Sequence, residues 1–174
     1  MSTVYPPDVD VRRSAVLSAD GLYRYSLVRR WAHDGRPPAQ FIMLNPSTAD
    51  ADIDDPTIRR CVGFARALDT AGIVVVNLYA YRATKPADLW KAADPVGPDA
   101  NVHIASVASR AASTGAPLIA AWGANARPDR VAEVLRIIAA HGAVLTALGV
   151  TKAAAPRHPL YLPATARPEP WPAA

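Results

Sequence analysis

The chain is poor in cysteine, in aromatic residues and in long apolar runs. Its 174 residues include a single cysteine, Cys61, which excludes an internal disulfide framework and a multi-cysteine zinc site. No apolar run reaches the length of a membrane-spanning helix, so we expect no membrane partner. The polar first ten residues contain two prolines and do not resemble a signal peptide. These features favour a cytoplasmic protein.

Composition indicates a folded domain with a mildly basic surface. Hydrophobic residues make up 51% and charged residues 20% of the chain, which argues against a wholly disordered protein. The length favours one α/β domain over residues 1–174. A formal charge of +4 is compatible with an anionic partner such as DNA or a nucleotide. We expect no cofactor, and the sequence indicates no particular protein partner.

The segment around residues 40–50 consists of a short apolar run followed directly by polar residues. Residues 40–45 predict a buried strand, and the sequence Asn-Pro-Ser-Thr begins at Asn45. Pro46 cannot donate to a sheet ladder and biases Asn45 away from a helix. The strand is therefore expected to end here, with Ser47, Thr48 and Asp50 just past its carboxyl end. In an open α/β sheet, that edge is where ligands bind.

The two ends of the chain predict simpler structure. Residues 1–13 look like a loose lead-in, and the proline-rich segment 151–174 predicts a loop and tail without periodicity. Between residues 15–18 and 22–31, Asp-Gly at position 20 predicts the turn of a β-hairpin. We expect three arginines of this hairpin to lie on its solvent side: Arg24, Arg29 and Arg30.

Strands and helices alternate through the rest of the chain. We predict strands at 40–45, 73–78, 117–122 and 144–148, with helices that begin near Asp55, Pro86, Asp99 and Pro128. This alternation predicts an α/β three-layer sandwich, in which a four-stranded parallel central sheet is flanked by helices. Right-handed crossovers then bring the carboxyl ends of all four strands to one edge. Polar or aromatic clusters follow each strand, so we expect them to form one cleft.

The first motif resembles a known family. Residues 44–50, LNPSTAD, are followed by DPT at residues 55–57. This pair of motifs is similar to the hallmark of a bacterial and phage family of domains of unknown function. The resemblance covers roughly residues 40–162 and implies a shared fold but no activity.

Four motifs, in order and spacing, more distantly resemble the uracil-DNA glycosylase superfamily. Residues 44–47 are similar to the Ile-Asn-Pro-Gly motif of its mismatch-specific branch, whose asparagine positions the attacking water. Residues 75–77 resemble the strand end whose asparagine reads the uracil edge in the classical branch. Residues 118–123 resemble the apolar strand that ends in Trp-Gly, and residues 157–162 resemble the His-Pro loop that enters the DNA minor groove.

This resemblance implies a glycosylase-like fold and a set of site residues. Asn45 would position water, and His158 would stabilise the leaving base. Asn77 would pair with a base edge, Tyr79 or Tyr81 would stack on the base, and Leu160 or Tyr161 would wedge into the base stack. The remaining residues expected to bind the base or the nucleic acid are Pro46, Ser47, Thr48, Arg82, Trp122 and Arg157.

Structural interpretations and two other functions stay open. Asn45 can cap a turn, Asn77 can satisfy a strand end, His158 can be an ordinary loop residue, and the tyrosines can be packing residues. The same cleft suits a non-catalytic module that binds a nucleotide or nucleobase. A metal-dependent phosphohydrolase built on the acidic loop 50–55 is the third possibility, with Asp50 and Asp54 as weak candidate metal ligands.

Overall fold

A seven-stranded mixed sheet with helices on both faces forms the framework of the molecule. The computed structural model describes residues 10–47 and 53–172. Its strands are β1 (Arg12–Leu17), β2 (Arg24–Arg30), β3 (Ala39–Met43), β4 (Gly72–Asn77), β5 (Leu118–Ala120), β6 (Leu145–Ala147) and β7 (Glu169–Pro170). Its helices are α1 (Pro56–Ala67), α2 (Pro86–Leu89), α3 (Ala100–Thr114) and α4 (Pro128–Ala140).

The strand order explains where the sheet agrees with the sequence and where it differs. The order is β1-β2-β4-β3-β5-β6-β7, and the pairs β4–β3, β3–β5 and β5–β6 are parallel. The expected α/β class is confirmed. The sheet has seven strands rather than four, because the hairpin adds to one edge through antiparallel β2–β4 pairing and β7 adds to the other through β6.

The expectations for the ends of the chain and for the hairpin arginines need correction. Strand β1 includes Arg12 and Arg13, which were expected to belong to the lead-in. The C-terminal segment contributes β7 and a 3-10 turn, Pro159–Tyr161. Arg24 and Arg29 are 3% and 0% exposed rather than solvated. Arg29 is buried because its Nε lies 2.7 Å from a carboxylate oxygen of Asp54, which neutralises it there.

Helices cover the sheet in two layers. Helix α1 packs Ile58 and Val62 against the face that carries Phe41, while α3 and α4 cover the face that carries Ile42. Strand β4 is buried along its whole length, as its β-branched sequence predicts for a strand covered on both sides. Among the described residues, no helix has both the length and the apolarity to cross a membrane.

Candidate functional site

A cleft of about 560 Å³ opens where the parallel strands end. The segments after β3, β4 and β5 and the C-terminal segment all contribute to its wall, as the strand pattern predicts. Its lining is mixed in polarity, with amide, hydroxyl, guanidinium and imidazole groups beside apolar side chains. The described lining residues include Arg24, Asn45, Ser47, Asp55, Asn77, Trp122, Asn125, Arg157, His158, Leu160 and Tyr161.

The side-chain amide of Asn45 has a defined orientation. Its Nδ2 donates to the carbonyl oxygens of Ala83 at 2.8 Å and of Pro46 at 3.0 Å. Since carbonyl groups only accept, the nitrogen must face them and Oδ1 must lie on the other side. Within the described chain, no donor reaches Oδ1. Asn45 therefore both ties the loop together and presents a fixed acceptor at the cleft.

Asn77 ends strand β4 and lines the same cleft. It is 4% exposed, yet its side-chain amide makes no hydrogen bond within the described part of the chain. Its amide atoms are also not among the polar atoms sealed from solvent. A buried amide normally has partners, so an unpaired amide at a cleft wall is a group available to a ligand. It offers both a donor and an acceptor.

His158 precedes the 3-10 turn and caps it. Its Nδ1 accepts a hydrogen bond from the backbone N–H of Leu160 at 3.3 Å, which places the proton of the neutral ring on Nε2. Partial burial lowers the pKa of His158, while the carboxylate of Asp55 acts in the opposite direction. The neutral ring is thus favoured near pH 7, and it has one N–H to donate.

The loop that carries His158 is held on several sides. Arg60 of α1 donates from Nε to the Pro159 carbonyl at 3.4 Å and from Nη2 to the Leu162 carbonyl. The N–H of Gly123 donates to the Pro156 carbonyl at 2.8 Å. On the outer side of this anchored loop, Leu160 and Tyr161 are 41% and 72% exposed at the rim of the cleft. Two apolar side chains therefore project from a fixed support.

Two charged residues of the cleft were not predicted as site residues. Asp55 caps α1 through the Ile58 N–H at 2.8 Å, as its position before Pro56 predicts, but it also accepts from the Ser47 hydroxyl at 2.8 Å and lines the cleft. Burial lowers the pKa of Arg24 to about 10, and Asp55 partly offsets this effect, so Arg24 stays charged. The only sequence signal for Arg24 was an arginine within a predicted strand.

Four predicted binding residues lie outside the cleft lining. Tyr79 is 2% exposed, packs edge-on against Trp90 and accepts from the Arg127 N–H through its hydroxyl. Tyr81 packs against Tyr23, and the guanidinium of Arg82 donates to a carbonyl of the hairpin turn. The chain turns back into the core after β4, so these side chains pack inward. Pro46 is also absent from the lining, and its carbonyl joins the loop to Ala83.

The described part of the acidic loop begins at residue 53 and includes Asp54, one of the two candidate metal ligands. The carboxylate of Asp54 lies 2.7 Å from Arg29 and 3.3 Å from Arg13, so its charge is already neutralised. Within the chain that the structure describes, no three potential ligands cluster in a way that could hold a metal ion. The predicted residues Thr48 and Asp50 lie outside the described residues.

Fold and cleft define the class of protein: an α/β domain with a polar site at the carboxyl edge of its parallel strands. A comparison with protein-family models matches residues 24–160 to the family described as "Protein of unknown function (DUF1643)". Because the match covers most of the chain, the protein belongs to this family. No curated protein is significantly similar to the chain.

Proposed function

We propose that the cleft binds a nucleobase extruded from nucleic acid and hydrolyses its bond to the sugar. The observation that carries this proposal is the pair of asparagines at the carboxyl ends of β3 and β4. Asn45 presents an acceptor of fixed orientation, and Asn77 presents a buried amide that has no partner among the described residues. The edge of a base carries a hydrogen-bond donor beside an acceptor, and a side-chain amide offers the complementary acceptor and donor.

The proposed reaction assigns one task to each polar group. Water held by Asn45 Oδ1 adds its oxygen to the anomeric carbon as the bond from that carbon to the base nitrogen breaks. The base leaves with the electron pair, and His158 Nε2–H donates a hydrogen bond to the developing negative charge. The proton released by the water finally resides on the base. Asparagine orients the water without deprotonating it, so this chemistry suits a base that is a good leaving group.

The rim supplies a means of extruding the base. Leu160 and Tyr161 are exposed apolar side chains on a loop that Arg60 and Gly123 hold in place. Inserting such side chains into the base stack offsets the few kcal/mol that unstacking costs. We further propose that the four parallel strands correspond to the sheet of the uracil-DNA glycosylases, on the motif resemblance of residues 44–47, 75–77, 118–123 and 157–162.

A cleavage assay on labelled oligonucleotides tests the proposal. Each strand would carry one uracil, hypoxanthine, xanthine or hydroxymethylated pyrimidine, in single-stranded and double-stranded form. We expect alkali-labile sites at one of these bases. The variants Asn45→Ala and His158→Ala should reduce the single-turnover rate by about 100-fold or more, since positioned proton donors and acceptors typically contribute that much.

Controls separate loss of chemistry from loss of fold. His141→Ala changes an exposed histidine at the end of α4 and should cleave as the wild type does. Circular dichroism checks that Asn45→Ala remains folded. An absence of cleavage on every substrate, with the protein folded, would contradict the hydrolytic proposal.

A non-catalytic nucleotide-binding module is the second candidate. One observation favours it: of the two arginines in the described cleft lining, Arg24 is buried beside Asp55 and only Arg157 is exposed. A long nucleic-acid strand normally meets more basic side chains than this. Salt-dependent binding of a free nucleotide, without cleavage of any oligonucleotide, would favour this module.

The metal-dependent phosphohydrolase has less support, because Asp54 and Asp55 already have protein partners.

A further inference from the structure

A second cavity lies between α3 and the β2–β4 part of the sheet, and none of the described residues lines both this cavity and the cleft. Its volume is about 240 Å³. Strand β2 contributes Ser26, Val28 and Arg30, which lie on one face because successive side chains of a strand alternate. Val28 is paired directly with Val74 of β4, which also lines the cavity.

Helix α3 presents an equally polar face to this cavity. His103, Ser106, Val107 and Arg110 follow the spacing of neighbours on one side of a helix. A face packed between a helix and a sheet is ordinarily apolar, so that it closes without voids. Here Ser26 of the sheet is nearly buried while Ser106 and Arg110 of the helix are exposed, so the space between helix and sheet stays open to solvent.

The polar groups of the cavity have few partners within the protein. Ser26 is 8% exposed, and its hydroxyl makes no hydrogen bond within the described chain. The side chains of Ser106 and Arg110 likewise have no hydrogen-bond partner there. Arg30 donates from Nε to the Ala32 carbonyl, and no described group accepts from its two terminal nitrogens. The Ser26 hydroxyl is not among the side-chain atoms sealed from solvent, so it is accessible to a ligand that enters the cavity.

The charge of the lining defines the sign of that ligand. The guanidinium groups of Arg30 and Arg110 line the cavity, and the described lining includes no aspartate or glutamate. The ring of His103 is held by stacking on Tyr25, at 5.3 Å between centroids. The floor consists of valine side chains from both strands and the helix. The cavity thus combines a cationic rim with an apolar base.

We propose that this cavity binds a small organic anion. Its carboxylate or phosphate group accepts hydrogen bonds from Arg30, Arg110 and the Ser26 hydroxyl, and its apolar body rests on the valines. A planar guanidinium fork suits either head group. The proposal is independent of the function proposed for the cleft at the strand ends.

Titration of the ¹⁵N-labelled full chain tests this site with defined probes: phenyl phosphate, benzoate and inorganic phosphate. We expect phenyl phosphate or benzoate to shift the amide signals of Ser26, Ser106 and Arg110 in a saturable way. Inorganic phosphate should bind at least about tenfold more weakly, because it buries no apolar surface. Arg110→Gln should weaken the organic probes about tenfold, the usual effect of losing one hydrogen bond to a charged group.

Two further variants provide a control and an independent test of the site. Arg136→Gln removes an exposed arginine of α4 and should leave the affinity unchanged. Ser26→Ala removes the buried donor and should weaken the organic probes without loss of the folded spectrum. Absence of saturable shifts at the named amides would overturn the proposal. So would equal binding of inorganic phosphate or an equal loss of affinity in Arg136→Gln.

Discussion

At the scale of single residues, Asn45 combines a structural and a chemical property in one amide. Its nitrogen closes the loop after β3 by donating to Ala83 and Pro46. Both the structural interpretation and the proposed role in holding water therefore rest on the same geometry. Both partners are carbonyl oxygens, which only accept hydrogen bonds. The amide nitrogen, and not the amide oxygen, must therefore face them.

Replacing Asn45 with an acid tests that orientation. A carboxylate in Asn45→Asp would face two carbonyl oxygens, and we expect the free energy of unfolding at pH 7 to fall by about 1–3 kcal/mol. The repulsion should raise the pKa of the new carboxyl, so part of the stability should return as the pH falls and the group becomes a donor. Urea denaturation at pH 7 and pH 4.5 measures both effects.

Asn45→Ala is the matched control for this charge effect. It removes the same two hydrogen bonds without placing a charge against the carbonyl groups. It should be less destabilising than Asn45→Asp at pH 7. If Asn45→Asp were as stable as the wild type, the amide nitrogen would not face Ala83 and Pro46.

His158 makes stability depend on pH in a defined direction. Burial lowers its pKa in the folded state below the usual value of 6.5. As the pH falls through this usual value, the unfolded chain binds the proton first, so folding stability decreases towards acid. His158→Asn keeps an acceptor for the Leu160 N–H but does not titrate in this range. We expect its stability to fall less than that of the wild type between pH 7.5 and pH 5.5.

The measurement is thermal or urea unfolding of both proteins at several pH values. His103, whose pKa burial also lowers, is present in both and cancels in the comparison. An identical pH dependence of the two proteins would contradict the assignment of a lowered pKa to His158.

Sequence reasoning placed some residues at the cleft and missed others for physical reasons. Asn45 and Asn77 directly follow apolar runs, so their place at the strand ends can be predicted from the chain alone. The burial of Arg24 depends on partners that only the folded chain brings near it. Tyr79 was expected in the cleft, but the chain bends after β4 and buries its ring against Trp90.

At the scale of elements, helix α1 and the loop 157–162 are joined into one structural unit beside the cleft. Helix α1 begins at the Asp55 cap beside the cleft and reaches the loop through Arg60. The N-terminus of the helix therefore places the Asp55 carboxylate at the cleft, and Arg60 in its first turns holds the loop that carries His158.

Removing the Arg60 anchor should loosen the loop. In Arg60→Met, the carbonyl groups of Pro159 and Leu162 lose a charged donor, and we expect faster amide hydrogen exchange over residues 157–162. Global stability should fall by only about 1–2 kcal/mol. Hydrogen exchange with mass spectrometry provides the measurement.

Arg66→Met is the control for this experiment, since Arg66 is an exposed residue in the last turn of the same helix. Its exchange over residues 157–162 should match the wild type. Unchanged exchange of that segment in Arg60→Met would show that Arg60 does not anchor it.

The elements also differ in how far sequence could predict them. Strand β4 is a β-branched run, and α1 has a capping residue and Pro56 at its start, so local signals suffice for both. Strand β7 has only two residues, and one of them is proline. It forms by pairing with the edge of β6, and such a long-range pairing cannot be predicted from the local sequence of β7.

At the scale of the whole molecule, pairing between β2 and β4 joins the N-terminal hairpin to the parallel strands of the sheet. The hairpin could be predicted, but its pairing with the parallel strands is a long-range contact. At this junction, Gly72 lies against the β2 backbone, and a Cβ added there would be 2.5 Å from the Arg29 carbonyl oxygen. Glycine is thus required by the close approach of the two strands.

A pair of glycine substitutions tests this junction. Gly72→Ala should lower the free energy of unfolding by about 2–3 kcal/mol, because backbone atoms must move to admit the methyl group. Gly63→Ala lies within α1, where an added Cβ meets no atom within 4 Å. It should raise stability by about 0.5–1 kcal/mol through helix propensity. Equal effects of the two substitutions in urea denaturation would contradict the tight β2–β4 contact.

The central claim is that the cleft at the strand ends receives a nucleobase, and one measurement addresses it directly. The ¹⁵N-labelled protein is titrated with an oligonucleotide that carries the best-cleaved modified base from the cleavage panel, or uracil if none is cleaved. We predict saturable shifts of the side-chain amide signals of Asn77 and of the backbone signals near His158, and we predict that the shifts near His158 are lost in Asn77→Leu. Saturable binding that leaves these signals unchanged, or no binding at all, would contradict the claim.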